Sequence, residues 1–159
     1  MMKIKFQMEE IGRFSCSEGF MVQVDPSFRE GLHGLKEFSH VMIVWVFDKL
    51  DWDGQTLVIP PPYRNLTHDI GLFATRSPFR PNPIGLTVSR VLSVDPEAGV
   101  IVLDWTDADD GTPILDIKPY HPSNDLVRDL VMPDWCAHWP KCREESGEFD
   151  WESEFTFMG

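Results

Sequence analysis

The sequence predicts a mostly β chain with short helices and one proline-rich loop. β-branched residues recur in short alternating runs, and no window sustains a 3.6-residue apolar stripe. Two such runs are also joined by the turn formers Asp95, Pro96, Glu97, Ala98 and Gly99, which marks a hairpin. In chain order the expected strands are KIKFQM at 3–8, FMVQV at 20–24, VMIVWVF at 41–47, GLFA at 71–74, LTVSRVLSV at 86–94, VIVLDW at 100–105 and ILDI at 114–117. The run at 41–47 is apolar at nearly every position, as expected of a central strand covered on both faces, and a short buried helix fits the same run. Six of the 13 prolines fall between Pro60 and Pro83, where they remove backbone donors and make the stretch a stiff loop holding one short strand. Helix is credible at 25–35 and at 124–130, where Ser123 or Asn124 can cap and Pro133 closes the segment.

With 159 residues and 42% hydrophobic content the chain suffices for one compact core, burying roughly 70% of the unfolded surface. The expected organisation is a folded domain over 1–133 and an acidic, tryptophan-rich tail over 134–159, whose aromatics dock on that domain or on a partner. No apolar run approaches membrane length and the N-terminus has no secretory h-region, so a cytoplasmic protein without a membrane partner is expected. The cysteines, Cys16, Cys136 and Cys142, are an odd and sparse set, read as reduced thiols. Fourteen basic against 26 acidic side chains give a net charge of −12, which argues against generic nucleic-acid coating and against DNA as a partner. A basic island interrupts this balance: between Arg64 and Arg90 lie four arginines and only Asp69 as an acid.

Residues 75–85 read TRSPFRPNPIG, a polar loop stiffened by three prolines, so little entropy remains to be lost on binding. Arg76 and Arg80 can fork onto a carboxylate or phosphate, and Asn82 can read a heteroaromatic edge. The plainer alternative pairs both arginines with local acids, the prolines merely shaping a turn. Residues 110–120 read DGTPILDIKPY; strand alternation puts Asp116 and Lys118 on one face, where they form either a surface ion pair or a site with Tyr120. His40, ahead of the apolar run, reads as a hydrogen-bonded strand-end histidine rather than a base. Cys136, His138 and Cys142 lack a fourth ligand and the usual paired spacings, so packing is favoured over zinc and no metal is expected. No dinucleotide, P-loop, zincin or nucleophile-elbow motif is present.

The string FATRSPFRPNPIG, followed by DGTPILDIKPY and preceded by LHGLKEFSHVMIVWVF, resembles the TsaA-like or TrmO-like family over about residues 9–122. The resemblance implies an all-β fold, a small single-sheet β-barrel that pairs as a homodimer and binds S-adenosyl-L-methionine without a Rossmann domain. It further implies N6 methylation of threonylcarbamoyl-adenosine beside the anticodon of tRNA. Carried over by position, cofactor contacts fall on Arg76, Ser77, Asn82, Leu86, Trp105, Thr106 and Asp107. Asp48 and Lys49 join them, Asp48 standing where the family has a histidine. Asp116 and Tyr120 are the catalytic candidates, and Arg80 and Lys118 the substrate-binding ones. The family's N-terminal Pro-Arg-Gln loop is replaced by RFSCSEGFMVQV at 13–24. The favoured function is thus a methyltransferase with tRNA as acceptor; the alternatives are a cofactor-binding module or an enzyme acting on a small molecule.

Overall fold

The computed structural model describes residues 6–157. Its strands are β1 (Gly12–Ser15), β2 (Phe20–Val24), β3 (His40–Val46), β4 (Val58–Ile59), β5 (Ile70–Gly71), β6 (Ile84–Asp95), β7 (Val100–Leu103) and β8 (Pro113–Pro119). Six of them close into an antiparallel barrel in the order β1-β2-β7-β6-β3-β8, and β4 pairs with β5 in a separate ribbon. The fold class is the one expected. Two compact units emerge: the described residues up to Asp51 with Pro81–Leu126, and Trp52–Arg80 with the residues from Val127 on.

In the barrel unit, alternation decides the core. Val41, Ile43 and Trp45 are at most 2% exposed, while Met42, Val44 and Val46 between them are only half-buried. The expectation of a strand covered on both faces is corrected: β3 has an inner face and an apolar but partly open outer one. Phe14, Val22, Val24, Ile101, Leu103 and Ile114 complete the interior, with Leu32 and Leu35 from two 3-10 segments. The β6–β7 hairpin forms where its turn residues put it. Asp95 Oδ1 accepts from the N–H groups of Glu97 and Ala98, and Gly99 adopts φ +74°. A Cβ on Gly99 would also lie 2.7 Å from the Val24 carbonyl oxygen, so only glycine fits there.

β6 pairs with β3 through residues 84–90 and with β7 from Val91 on, and the register shifts between Val91 and Ser93. This bulge at Leu92 bends the strand so that a single strand serves two neighbours around the barrel. A second shift between Val44 and Trp45 makes β8 pass three residues, 114–116, against two of β3.

Several expected elements differ. The predicted strand at 71–74 is one residue of β5 followed by a 3-10 turn, Leu72–Ala74, because the Thr75 N–H and hydroxyl both bond back to the Leu72 carbonyl. The helix expected at 25–35 is instead the 3-10 segment Pro26–Leu32, and the one expected at 124–130 is a single turn, Pro122–Asp125. The first three residues of the strand expected at 3–8 lie outside the described residues, and Phe6, Gln7 and Met8 are not in a strand. β1 was not anticipated.

In the second unit, Tyr63, Leu66 and Ile70 pack with Ile59, Trp135, Trp139 and Phe155. The Tyr63 and Trp135 rings stack 5.0 Å apart at 10°, and Trp139 meets Trp151 edge-on at 5.4 Å. The aromatics of the acidic segment therefore pack against one another and against residues 59–70. Its buried Glu154 accepts from or donates to the His138 ring at 2.9 Å, and the buried Cys136 thiol faces the Pro133 carbonyl at 3.4 Å.

Candidate functional site

The end of the barrel where β3 leaves and β6 enters carries Asp48, Lys49 and Asn82, and the other candidates of this unit lie along β6, β8 and the loop after β7. The Phe47 N–H donates to the Pro83 carbonyl at 2.9 Å, which sets the exposed Asp48 beside the segment bearing Asn82. Lys49 Nζ reaches Asp109 Oδ2 at 3.0 Å, tying the same turn to the loop after β7. That loop runs alongside the first half of β6. The Asp104 N–H donates to the Arg90 carbonyl, Ser89 Oγ donates to the Trp105 carbonyl at 2.7 Å, and the Thr87 hydroxyl donates to Asp107 Oδ1. Leu86, 44% exposed, and Trp105, 47% exposed, thus lie on neighbouring segments, while Thr106 is buried and its hydroxyl accepts from the Ala108 N–H.

The anchor of this loop is inside the barrel. Trp45 Nε1 donates to Thr87 Oγ1 at 3.0 Å, and the same hydroxyl donates onward to Asp107, so a buried indole and an exposed carboxylate share one oxygen. Trp45 can fold that way because its register partner is Gly85, whose missing Cβ would stand 2.3 Å from the indole ring. Trp45 and Thr87 were absent from the expected site. A tryptophan in an apolar run and a threonine in a strand read as ordinary β residues; only the register reveals their part.

Asp116 and Lys118 share the outer face of β8, as the alternation predicts, and form an ion pair of 2.6 Å. Asp116 Oδ1 also accepts the Ile117 N–H, so both carboxylate oxygens have partners. The hydrogen bond to Asp116 raises the Lys118 ammonium above its ordinary value. Asp116 and Leu86 both stand opposite Val44, on either side of β3. Tyr120 is placed differently: its N–H donates to the His40 carbonyl, at the end of β3 remote from Phe47. His40 opens β3 with Nδ1 2.9 Å from Ser39 Oγ, the strand-end arrangement expected of it.

Arg76, Ser77 and Arg80 belong to the second unit. The Arg80 guanidinium donates to the Leu72 carbonyl at 3.1 Å and to the Thr75 carbonyl at 3.4 Å, so it shapes its own loop. Ser77 continues the brace: its N–H donates to Thr75 Oγ1 and its hydroxyl accepts from the Phe79 N–H. Arg76 is exposed, and its guanidinium has no partner among the described residues; its N–H meets the Tyr63 phenol. Burial raises that phenol above its ordinary value, against the opposing hydrogen bond from Arg76. A groove of about 360 Å³, lined by residues of β1 and β2 including Arg13 and Gln23, contains none of the candidate residues.

Residues 2–126 match the family model described as the tRNA-methyltransferase O N-terminal domain. A probable S-adenosyl-L-methionine-binding protein of Pyrococcus abyssi is 42% identical over 114 residues, covering 72% of this chain and 58% of that protein. A mouse tRNA (adenine(37)-N6)-methyltransferase is 46% identical over 101 residues, covering 64% of this chain and 23% of its own length. A crystal structure of TrmO superimposes with a TM-score of 0.66 at 30% identity, covering 81% of this chain and 64% of that one. The chain thus spans about three fifths of the first relative and under a quarter of the mouse enzyme. With the barrel and the intact TRSPFRPNPIG loop lying almost wholly inside the matched residues, the chain belongs to the tRNA-methyltransferase O N-terminal domain family.

Proposed function

We propose that the chain is an S-adenosyl-L-methionine-dependent methyltransferase that methylates N6 of a tRNA adenosine, the threonylcarbamoyl-adenosine beside the anticodon being the substrate its family resemblance implies. The observation behind this reading is the loop 104–107, held against β6 by Ser89 and Thr87 so that Trp105 and Asp107 are presented in fixed positions. The residues suit the cofactor's chemistry. In the barrel unit, Trp105 and Leu86 offer half-exposed apolar faces for a planar adenine, and the second oxygen of Asp107 suits ribose hydroxyls.

When bound, the cofactor supplies an electrophilic methyl group. What remains for the protein is to hold donor and acceptor in line, which accounts for most of the acceleration available to such a reaction. Asn82, Leu86, Trp105, Thr106 and Asp107 take the cofactor role in the barrel unit, with Asp48 and Lys49 on the turn that follows β3. Arg76 and Ser77 keep the role that the resemblance implies for them. Asp116, paired with Lys118, is the nearer of the two catalytic candidates to Leu86, across Val44. An anticodon-loop base is already unpaired, which lowers the cost of presenting it.

The protein is further proposed to act as a homodimer in the cytoplasm, where three free cysteines are at home. Among the described residues no helix is long and apolar enough to cross a membrane. The reading is tested by transfer of labelled methyl from the cofactor to total tRNA, followed by nucleoside analysis. Label on N6-methylated adenosine is expected; cofactor uptake by calorimetry without any label on tRNA would leave a binding module or a small-molecule enzyme.

A further inference from the structure

The loop closing the 3-10 turn Leu72–Ala74 is braced along its whole length. The Leu72 carbonyl accepts from the Thr75 N–H, the Thr75 hydroxyl and the Arg80 guanidinium, which brings residues 72 and 80 together. Thr75 Oγ1 then takes the Ser77 N–H at 3.1 Å, Ser77 Oγ takes the Phe79 N–H at 3.3 Å, and Pro78 fixes the torsion between them. This rigidity buries neither phenylalanine: Phe73 is 77% exposed and Phe79 51%. A single exposed apolar side chain is ordinary, but here two flat rings flank an exposed arginine whose guanidinium has no partner among the described residues, all on one stapled loop. The surrounding charge is the reverse of the chain's average, since residues 64–80 contain three arginines and one aspartate in a molecule of net charge −12.

We propose that Phe73 and Phe79 are a stacking platform for unpaired bases of the RNA substrate, an inference that rests on the RNA reading above. Stacking on aromatic faces tolerates any base, and the braced backbone leaves only the two side chains to be ordered on binding. Local positive charge favours a polyanion over an acidic or apolar protein surface. Because paired bases hide their faces, the platform selects loops over duplexes.

The test uses the full chain, a fluorescently labelled anticodon stem-loop RNA, a fully paired RNA of equal length, and calorimetric uptake of S-adenosyl-L-methionine. Phe73→Ala and Phe79→Ala each weaken stem-loop binding about tenfold, with cofactor uptake unchanged and the weak duplex binding unaltered. Phe73→Leu and Phe79→Leu recover little, since leucine restores apolar area without a π-face. The proposal is overturned if the leucine variants bind as well as the parent, if cofactor uptake falls in step with RNA binding, or if light scattering shows that the alanine variants lose self-association while still binding RNA. A parent chain that binds the stem-loop while every variant matches it within twofold refutes this inference alone. A parent chain that neither binds nor methylates any tRNA removes the RNA reading and this inference together.

Discussion

Replacing Thr87 by valine keeps the volume and β-branching of the side chain and deletes the one oxygen that joins Trp45 to Asp107. Trp45 is 2% exposed, so its indole N–H would be left in the barrel interior without its acceptor. A buried donor stranded in this way costs about 1–3 kcal/mol, and the exposed Asp107 carboxylate simply returns to water, so the expected loss is about 2 kcal/mol. At this chain length that corresponds to a fall in Tm of about 4–8 °C. Thr87→Ser retains the oxygen and loses a methyl group, worth about 0.8 kcal/mol or a fall of about 2–3 °C. Releasing Asp107 also loosens residues 105–107, so cofactor affinity falls several-fold in the valine variant and little in the serine one. Urea and thermal unfolding with calorimetric titration read both effects. A valine variant within about 0.5 kcal/mol of the parent, or a serine variant as damaged as the valine one, would refute the shared-oxygen argument.

Gly85→Ala forces a methyl group to within 2.3 Å of the Trp45 ring and destabilises by about 1–3 kcal/mol; combining it with Trp45→Phe costs less than the sum of the single changes, as a double-mutant cycle in urea will show. In a Tyr120→Phe variant, which leaves Tyr63 as the remaining tyrosine, near-ultraviolet tyrosinate absorbance develops above the ordinary value of 10.0. Because the folded phenol is raised, its contribution to stability is complete below that ordinary value and is lost as pH climbs through the folded one. Cys16, raised by desolvation and by Asp110 and Asp109, is alkylated more slowly than free cysteine in a chain whose other two cysteines are serine, at any mildly alkaline pH.

What the sequence made legible followed from local chemistry. The β6–β7 hairpin was visible because its strands alternate and its turn needs Asp95 and Gly99; β2 was visible because FMVQV has no other comfortable state. β1 was hidden, since GRFS lacks β-branching and exists by pairing with β2 and β8, with Gly12 letting the Gln23 backbone approach. GLFA looked like a strand because its apolar residues are contiguous, and the competing signal was the Thr75 side chain capping Leu72. The outer face of β3 misled in the opposite way: Met42, Val44 and Val46 are apolar enough to mask an alternation that burial shows plainly. Within the site, the loop residues stood out as a motif, but the acceptors of Arg80 are the Leu72 and Thr75 carbonyls and not the local acids of the plainer reading. Arg80 shapes its turn, while Arg76 remains available.

The polar groups inside the barrel explain why the site loop lies where it does. A hydroxyl or indole N–H placed in an apolar interior is tolerated only if it is paired, and β6 directs Thr87 and Ser89 inward, both buried. Backbone ladders cannot satisfy side-chain oxygens. Thr87 therefore needs Trp45 and Asp107, and Ser89 needs the Trp105 carbonyl; the chain after β7 is drawn along β6 by side-chain bonds once the regular ladder has ended at Leu103. The same alternation that would have made β6 an unbroken apolar strand, with valine at 87 and alanine at 89, would have left residues 105–107 without an anchor. Thr87 and Ser89 thereby satisfy buried polar groups and at the same time hold Trp105 and Asp107 against the strand that carries Leu86.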